Sequence, residues 1–188
     1  MARSFKNLSS GLQAPSHERA PPVLTGRVAA LAAAVGIALM AASGVLFSAA
    51  ARFTGDFANQ PRALVAGGAA AAGIVKLASF VDLVGYLSMG LLAVYFWLRF
   101  HDRPLIHLYT AAGFTYVLIG VSGAVILGTV YAVVVGGLWQ TLEGIPAALW
   151  LFGVATLTLH DKQHVLATIL AGVAVLFLLI AGVRMASF

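Results

Sequence analysis

The chain has 188 residues, of which 61% are hydrophobic and only 9% are charged, whereas a soluble domain carries about 25% charged residues. A chain of this length must expose much of its surface, so a large core cannot explain the missing charge and the surface must face lipid. The absence of cysteine excludes disulfides, thiolate metal sites, iron–sulfur clusters and cysteine nucleophiles.

The net charge of +5 would suit a nucleic-acid partner in a soluble protein. Most Lys and Arg residues stand beside apolar runs, however, where membrane topology and lipid headgroups explain them. We therefore expect no nucleic-acid partner. The predicted fold is an all-α integral membrane protein, a compact bundle of about five transmembrane helices formed by residues 27–188.

Residues 1–26 contain Ser, Pro, Gly and basic residues without apolar periodicity, and we interpret them as a mobile cytoplasmic tail. The run from Val28 to Ala51 has no charge over 24 residues, enough for a first transmembrane helix at about 28–51. The small residues from Ser48 to Ala51 resemble a signal-peptide cleavage site. A signal h-region has only about 7–15 residues, so an uncleaved signal-anchor helix is the better interpretation.

The next apolar stretch is too long for one span and contains two charged residues, Lys76 and Asp82. Its first part, Ala63–Gly73, consists almost wholly of Ala and Gly, and we expect it to be an approach helix or interfacial segment. The second span is predicted at about 74–98. It ends in an aromatic and basic set that is typical of a membrane interface: Tyr95, Trp97 and Arg99.

Three further spans are predicted, at about 105–130, 138–159 and 165–183. Pro104 is tolerated at the start of the third helix, and the pair Gly136-Gly137 interrupts the pattern before the fourth. The fourth segment contains several polar residues and Pro146, so whether it fully spans the membrane stays open at this point.

The distribution of basic residues predicts the orientation of these spans. Seven basic residues fall on the side of the N-terminus and three on the opposite side, with Lys76 at the outer membrane edge. By the positive-inside rule the N-terminus is then cytoplasmic, in a bacterial-type inner membrane. If the fourth segment did not cross, Lys162 and Arg184 would exchange sides and the balance would not change.

Glycine recurs on single helix faces, at Gly36 and Gly44 in the first span and at Gly113, Gly120 and Gly128 in the third. Small residues at such spacing allow two helices to approach closely. Because the chain is rich in Gly throughout, we interpret these positions as intramolecular packing sites rather than as a dimer seam.

Five residues form a candidate intramembrane polar site. Asp82 is the clearest, because it lies two turns inside the second span, where an ionisable residue costs about 2.5–3.5 kcal/mol on insertion scales. Lys76 points to a different helix face, whereas Tyr86 shares the face of Asp82. Gln140 and Glu143 begin the fourth helix at similar depth. A Lys76–Glu143 pair and a hydrogen-bond group of Asp82, Tyr86 and Gln140 would lower the desolvation cost.

This polar set has a functional and a structural interpretation. It could form a polar pocket or a proton-carrying site, with Tyr131 completing the cluster. Alternatively, one buried Asp joins the helices, and Lys76 extends its amine to the headgroups. Lys76 and Glu143 stand near predicted helix ends, where burial costs little, so the sequence favours the structural interpretation.

Four histidines are predicted at the inner side of the membrane: His101, His107, His160 and His164. Haem or metal ligation requires ligands that converge on one face, and only His160 and His164 have a suitable spacing, across a turn. We therefore expect no metal and no cofactor.

The second span carries a lone acid in Phe80-Val81-Asp82-Leu83-Val84-Gly85-Tyr86 and ends in Tyr95-Phe96-Trp97-Leu98-Arg99. A short turn then leads into a Gly-punctuated helix with Gly113-Phe114-Thr115-Tyr116. This order of features, over about residues 25–185, resembles a bacterial multi-pass membrane protein family known only as a domain of unknown function. Such families typically have six spans, whereas five are predicted here. The resemblance implies a fold and no activity.

The expected function is that of a structural or accessory membrane subunit, which packs in the lipid bilayer against other subunits or against itself. The alternative is a small transporter or proton-conducting component that uses Asp82. A third possibility is a haem-binding or enzymatic membrane protein. The chain has no Walker A loop, GxSxG, HExxH or CxxC pattern, and no internal repeat of the kind common in transporters.

Overall fold

The computed structural model describes residues 26–52, 68–130 and 142–185 and contains five helices and no strand in these ranges. The all-α class and the number of helices are thus confirmed for this part of the chain. In chain order the helices are α1 (Gly26–Arg52), α2 (Gly68–Arg99), α3 (Ile106–Val130), α4 (Gly144–His160) and α5 (His164–Met185).

Four of these helices, α1, α2, α3 and α5, are long and apolar enough to cross a membrane. The fourth helix is also apolar but has 17 residues, so it extends only about 25 Å, whereas a bilayer core is about 30 Å thick. The sequence left open whether the segment 138–159 fully spans. The described helix of that segment, α4, comprises Gly144–His160, and residues 138–141 lie outside the described residues.

Helix α2 starts six residues earlier than the predicted span at Ile74. Residues Gly68–Gly73 are the first residues of α2 and form one continuous helix with the predicted span. They do not form a separate interfacial segment. Alanine has the highest helix propensity of all residues, so the Ala-rich start of α2 is helical even though its hydropathy is low. The preceding residues 63–67, and nearly all of the tail 1–26, lie outside the described residues.

The helices pack in chain order, each against the next. Neighbouring helices run antiparallel, because successive residues along one helix contact progressively earlier residues of the next helix. In α1, for example, a Cβ at Gly26 would stand 3.2 Å from the Tyr95 hydroxyl, and one at Gly36 would stand 3.2 Å from the Gly85 carbonyl. The contact of Gly36 supports the interpretation that this glycine serves packing within the chain, whereas a Cβ at Gly44 would meet nothing within 4 Å.

The α2–α3 turn and the α4–α5 turn lie at the same end of the bundle. We call this end the basic rim, after its basic residues Arg27, Arg99, Arg103 and Lys162. Arg99 and Arg103, in and after the last turn of α2, contact the carboxylate of Asp161 at 3.6 and 3.0 Å. Asp161 follows α4 directly. The ion pairs therefore join the α2–α3 turn to the α4–α5 turn, and they fix which ends of these four helices are level.

Buried apolar residues form two separate clusters. The larger cluster extends from the basic rim to the middle of the bundle and includes the fully buried Tyr116 and Trp150. The smaller cluster lies towards the opposite end, where α1 ends and α2 begins; its buried members are Phe47, Ala50, Ala71, Val75, Ala78 and Leu127. Among the described residues, four buried polar side chains lie between the two clusters: Ser43, Ser79, Asp82 and Glu143.

Candidate functional site

The hydroxyl of Tyr86 donates a hydrogen bond of 2.5 Å to Oε2 of Glu143. Tyr86 lies on α2, and Glu143 is the residue before the first turn of α4. Both side chains are buried. A hydroxyl–carboxyl contact of this length is at the short end of the range for O–H···O bonds, as expected for a charge-assisted bond in an apolar surrounding.

Asp82 lies one turn before Tyr86 on the same face of α2 and is buried as well. Its carboxyl group shares a side-chain hydrogen bond with Ser43 of α1. Ser43 has only 2% of its surface exposed, so the hydroxyl is withdrawn from solvent together with the carboxyl. In the described part of the chain, no lysine, arginine or histidine forms an ion pair with Asp82.

Tyr116 of α3 closes the site on the side of the larger apolar cluster. Its ring meets Tyr86 edge-on with centroids 5.3 Å apart, and it stacks on Trp150 at 6.3 Å. Its hydroxyl lies 3.6 Å from Sδ of Met40, a weak acceptor. Tyr86 contacts both Tyr116 and Glu143, and Asp82 lies one turn away on α2, so all four groups share one region.

Gly120 is the reason that Tyr86 can reach Glu143. A Cβ at this position of α3 would overlap the ring of Tyr86, so the aromatic ring lies directly against the α3 backbone. Any larger residue would push Tyr86 away from α3 and from the start of α4. The glycine therefore serves the polar site as well as the helix packing.

The site lies well inside the bundle. Tyr86 is level with Gly120, and Gly120 stands 14 residues after the start of α3 and 10 before its end, or about 21 Å and about 15 Å along the axis. Glu143 reaches the same level because α4 starts there. From Glu143 the chain continues as α4, which runs antiparallel to α3. Trp150 of α4 packs at Gly113, and Gly153 of α4 packs at Tyr109.

We call Ser43, Asp82, Tyr86, Tyr116 and Glu143 the acidic cluster. It combines two carboxyl groups and three hydroxyls from four parts of the chain. Removing an ionised carboxylate from water is costly unless it is paired or takes up a proton. The chemistry open to this arrangement is therefore the binding, holding and transfer of protons between oxygen atoms.

The structure brings together three of the five residues that the sequence singled out: Asp82, Tyr86 and Glu143. Lys76 is exposed, and no ion pair joins it to Glu143, although both residues are described. Gln140 lies outside the described residues, as does Tyr131. The partners differ from those expected, because Glu143 accepts from Tyr86 and Asp82 interacts with Ser43.

Ser43 and Tyr116 were not recognised as site residues from the sequence. Ser43 lies in an Ala-rich helix where a small hydroxyl residue is unremarkable, and Tyr116 was noted only as part of a Gly-punctuated stretch. One signal was present in principle. Ser43 and Tyr116 are polar residues near the middle of apolar runs, at the same depth as Asp82 in antiparallel neighbours.

The histidines lie away from the acidic cluster. His101 contacts Asp102 at 2.8 Å, and Nδ1 of His160 lies 2.8 Å from the Thr156 carbonyl. His107 and His164 are exposed. In the described ranges, no three histidine, aspartate or glutamate side chains converge in a manner that could hold a metal ion.

No protein-family model, curated protein or solved structure matches this chain. The resemblance to a family known only as a domain of unknown function therefore stays a prediction.

Proposed function

We propose that this chain is a multi-pass protein of a bacterial-type inner membrane, with its basic rim on the cytoplasmic side. The support comes from α1 and α5, at the two edges of the helix row. Leu31 and Val45 of α1 are 65% and 69% exposed, and Val165 and Val183 of α5 are 77% and 69% exposed. Such faces require an apolar surrounding. The rim carries Arg27, Arg99, Arg103 and Lys162, which the positive-inside rule assigns to the cytoplasm.

We further propose that the acidic cluster gives this protein a proton-carrying function, as a small transporter or proton-conducting component. The observation that carries the proposal is the burial of two carboxyl side chains, Asp82 and Glu143, at one depth inside an apolar bundle. Amide or hydroxyl side chains would join the helices equally well without the cost of a buried acid. Carboxyl groups add the ability to bind and release a proton.

A structural or accessory subunit is the second candidate. The observation in its favour is that the same two hydrogen bonds join α1 to α2 and α2 to the start of α4. Buried side-chain hydrogen bonds of this kind stabilise membrane bundles by about 0.6 kcal/mol on average. Under this candidate function the carboxyl groups of Asp82 and Glu143 only hold the helices together by hydrogen bonds, and they transfer no proton.

The two candidates differ in what Asp82→Asn does. The amide keeps the size and hydrogen-bonding capacity of the carboxyl but cannot titrate at neutral pH. A proton-carrying site therefore predicts that the variant folds normally and loses proton flux in liposomes. Asp82→Leu serves as the comparison for stability, because it also removes the partner of Ser43 and should lower the unfolding free energy in detergent by about 1–2 kcal/mol.

The measurement is the proton flux into liposomes containing wild type, Asp82→Asn or Lys76→Gln, at equal protein density. Lys76→Gln is the matched control, since it also changes one charge on α2 but at an exposed position. Flux in wild type and in the control, with none in Asp82→Asn, supports the proton-carrying function. Proton flux no higher than in empty liposomes for all three proteins, with intact folding, would favour the accessory subunit.

A further inference from the structure

Ser79 of α2 is a buried hydroxyl without a hydrogen-bond partner in the described part of the chain. Only 3% of its surface is exposed. Other hydroxyls of the bundle bond back to a carbonyl of their own helix: Ser48, Ser88, Thr115, Thr156, Thr158 and Thr168. Ser79 departs from this pattern. An unsatisfied buried polar group costs about 1–3 kcal/mol, so its presence calls for a reason.

The position of Ser79 suggests that reason. Ser79, Asp82 and Tyr86 are separated by three and four residues, so they form one polar column on the buried face of α2. Ser79 is the member nearest the start of α2, about 4.5 Å along the axis from Asp82. The column thus extends the acidic cluster away from the basic rim and towards the opposite end of the bundle.

Beyond Ser79 the buried face of α2 becomes apolar. Val75 and Ala71 continue the face, and they belong to the smaller apolar cluster with Phe47 and Leu127. On the described part of α2, Ser79 is therefore the last polar residue of the buried face before this cluster. From Asp82 in this direction along α2, the Ser79 hydroxyl is the first polar side chain.

We propose that Ser79 is a positioning residue of the proton path, and that its hydroxyl holds a water molecule next to Asp82. The inference rests on the proposed proton-carrying function and deepens it by naming the side from which Asp82 exchanges its proton. A hydroxyl is suited to this role because it donates one hydrogen bond and accepts two. A water molecule there satisfies the Ser79 hydroxyl and bridges it to the Asp82 carboxyl group.

Ser79→Ala tests the proposal, because a positioning role predicts a lower proton flux, whereas a merely unsatisfied hydroxyl predicts an unchanged flux and a higher stability. Under the proposal, proton flux in liposomes falls by about tenfold, the effect of one lost hydrogen bond. Ser79→Thr keeps the hydroxyl and should keep most of the flux. Ser88→Ala is the matched control, since Ser88 also lies on α2 but bonds back to the Val84 carbonyl at 2.9 Å; its flux should equal that of wild type.

A second readout does not require flux. Infrared difference spectra between acidic and neutral pH should contain the carbonyl stretch of Asp82 in its protonated form, and the Asp82→Asn variant identifies this band by its absence. Loss of a hydrogen-bonded water in Ser79→Ala should shift this band, whereas Ser88→Ala should leave it in place. Ser79→Ala with wild-type flux, an unshifted band and raised stability would overturn the proposal and show that the hydroxyl is only unsatisfied.

The outcomes distinguish a failure of this inference from a failure of the proposed proton-carrying function. If wild type carries no protons, the proton-carrying function fails, and the infrared band alone decides whether Ser79 holds water beside Asp82. If wild type carries protons and Asp82→Asn does not, while Ser79→Ala matches wild type in flux and in the band, only the role of Ser79 is refuted.

Discussion

At the scale of single residues, Tyr86 connects more of the site than any other side chain described. Its hydroxyl donates to Glu143, its ring meets Tyr116 edge-on, and the ring lies against the backbone at Gly120. The aromatic ring provides the packing, and the hydroxyl satisfies a buried carboxyl group. The two contributions can be separated by mutation.

Tyr86→Phe should remove the hydrogen bond to Glu143 while leaving the ring contacts in place. We expect a loss of about 1–2 kcal/mol in unfolding free energy, because the buried hydrogen bond from Tyr86 to Glu143 is removed. The measurement is unfolding in mixed micelles. Tyr109→Phe is the control, since the Tyr109 ring also packs at a glycine, Gly153. Its hydroxyl forms no hydrogen bond with another residue in the described ranges. A loss of stability in Tyr109→Phe equal to that in Tyr86→Phe would contradict the prediction.

Gly120→Ala should be among the more damaging single-methyl changes in the bundle. The added Cβ would overlap the Tyr86 ring, and overpacking of this kind costs about 1–3 kcal/mol. Gly44→Ala is the control, because a Cβ there meets nothing within 4 Å and alanine favours the helix. Thermal unfolding in detergent should show a loss for Gly120→Ala and no loss for Gly44→Ala. Equal stability of the two variants would refute the close approach.

At the scale of helices and turns, the short helix α4 determines where Glu143 lies. Because α4 has 17 residues and ends at the basic rim, its first turn reaches only the middle of the bundle. Glu143 stands 17 residues before His160, or about 26 Å along the axis from the rim end of α4. This distance places the Glu143 carboxyl group at the depth of Tyr86.

Leu105, in the turn between α2 and α3, has a backbone φ of 67°, in the left-handed region that bulky residues rarely adopt. The side chain is 60% exposed, so little packing compensates for the strain. Leu105→Gly should therefore raise the unfolding free energy in detergent by about 1 kcal/mol.

Leu108→Gly is the control for this change. Leu108 is likewise exposed, at 52%, but lies within α3, where glycine costs about 1 kcal/mol of helix stability. The two variants should thus shift stability in opposite directions. A loss of stability in both would mean that the turn is not strained in the folded protein.

At the scale of the whole molecule, the ion pairs of Asp161 with Arg99 and Arg103 bring two turns to one end of the bundle. The first residue of α1 lies at the same end, because Gly26 stands beside the Tyr95 hydroxyl. Helix α5 runs from this end to the other. The described helices therefore place the start of α1 and the end of α5 at opposite ends of the bundle.

This arrangement predicts the topology in a membrane. A reporter fused after Phe188 should be extracytoplasmic, and a reporter inserted at 99–104 should be cytoplasmic, because the basic rim is drawn to the cytoplasmic side. Paired phosphatase and fluorescent-protein fusions in a bacterial host provide the measurement. Cytoplasmic reporters at both positions would mean that the segment containing α4 does not complete a crossing.

The acidic cluster shows how far reasoning from sequence reaches for a site of this kind. Asp82 and Glu143 were singled out because ionisable residues in apolar runs are costly, and Tyr86 because it shares a helix face with Asp82. The expected pairing with Lys76 did not appear, since Lys76 points away from the cluster and is exposed. Ser43 was missed, because nothing local marks one serine in an Ala-rich helix as the partner of an acid on another helix.

Composition and the lengths of apolar runs by themselves determined the helical class and the approximate limits of four long helices. These are local properties, because a helix satisfies its backbone hydrogen bonds within its own segment. Only the tertiary structure decided which polar groups meet. Tyr86 and Glu143 are 57 residues apart, and their contact depends on the point at which α4 starts and on the approach of the Tyr86 ring to Gly120. A shift of one residue in helix start turns a side chain by about 100°, so such contacts follow from packing between helices and not from the pattern within any one of them.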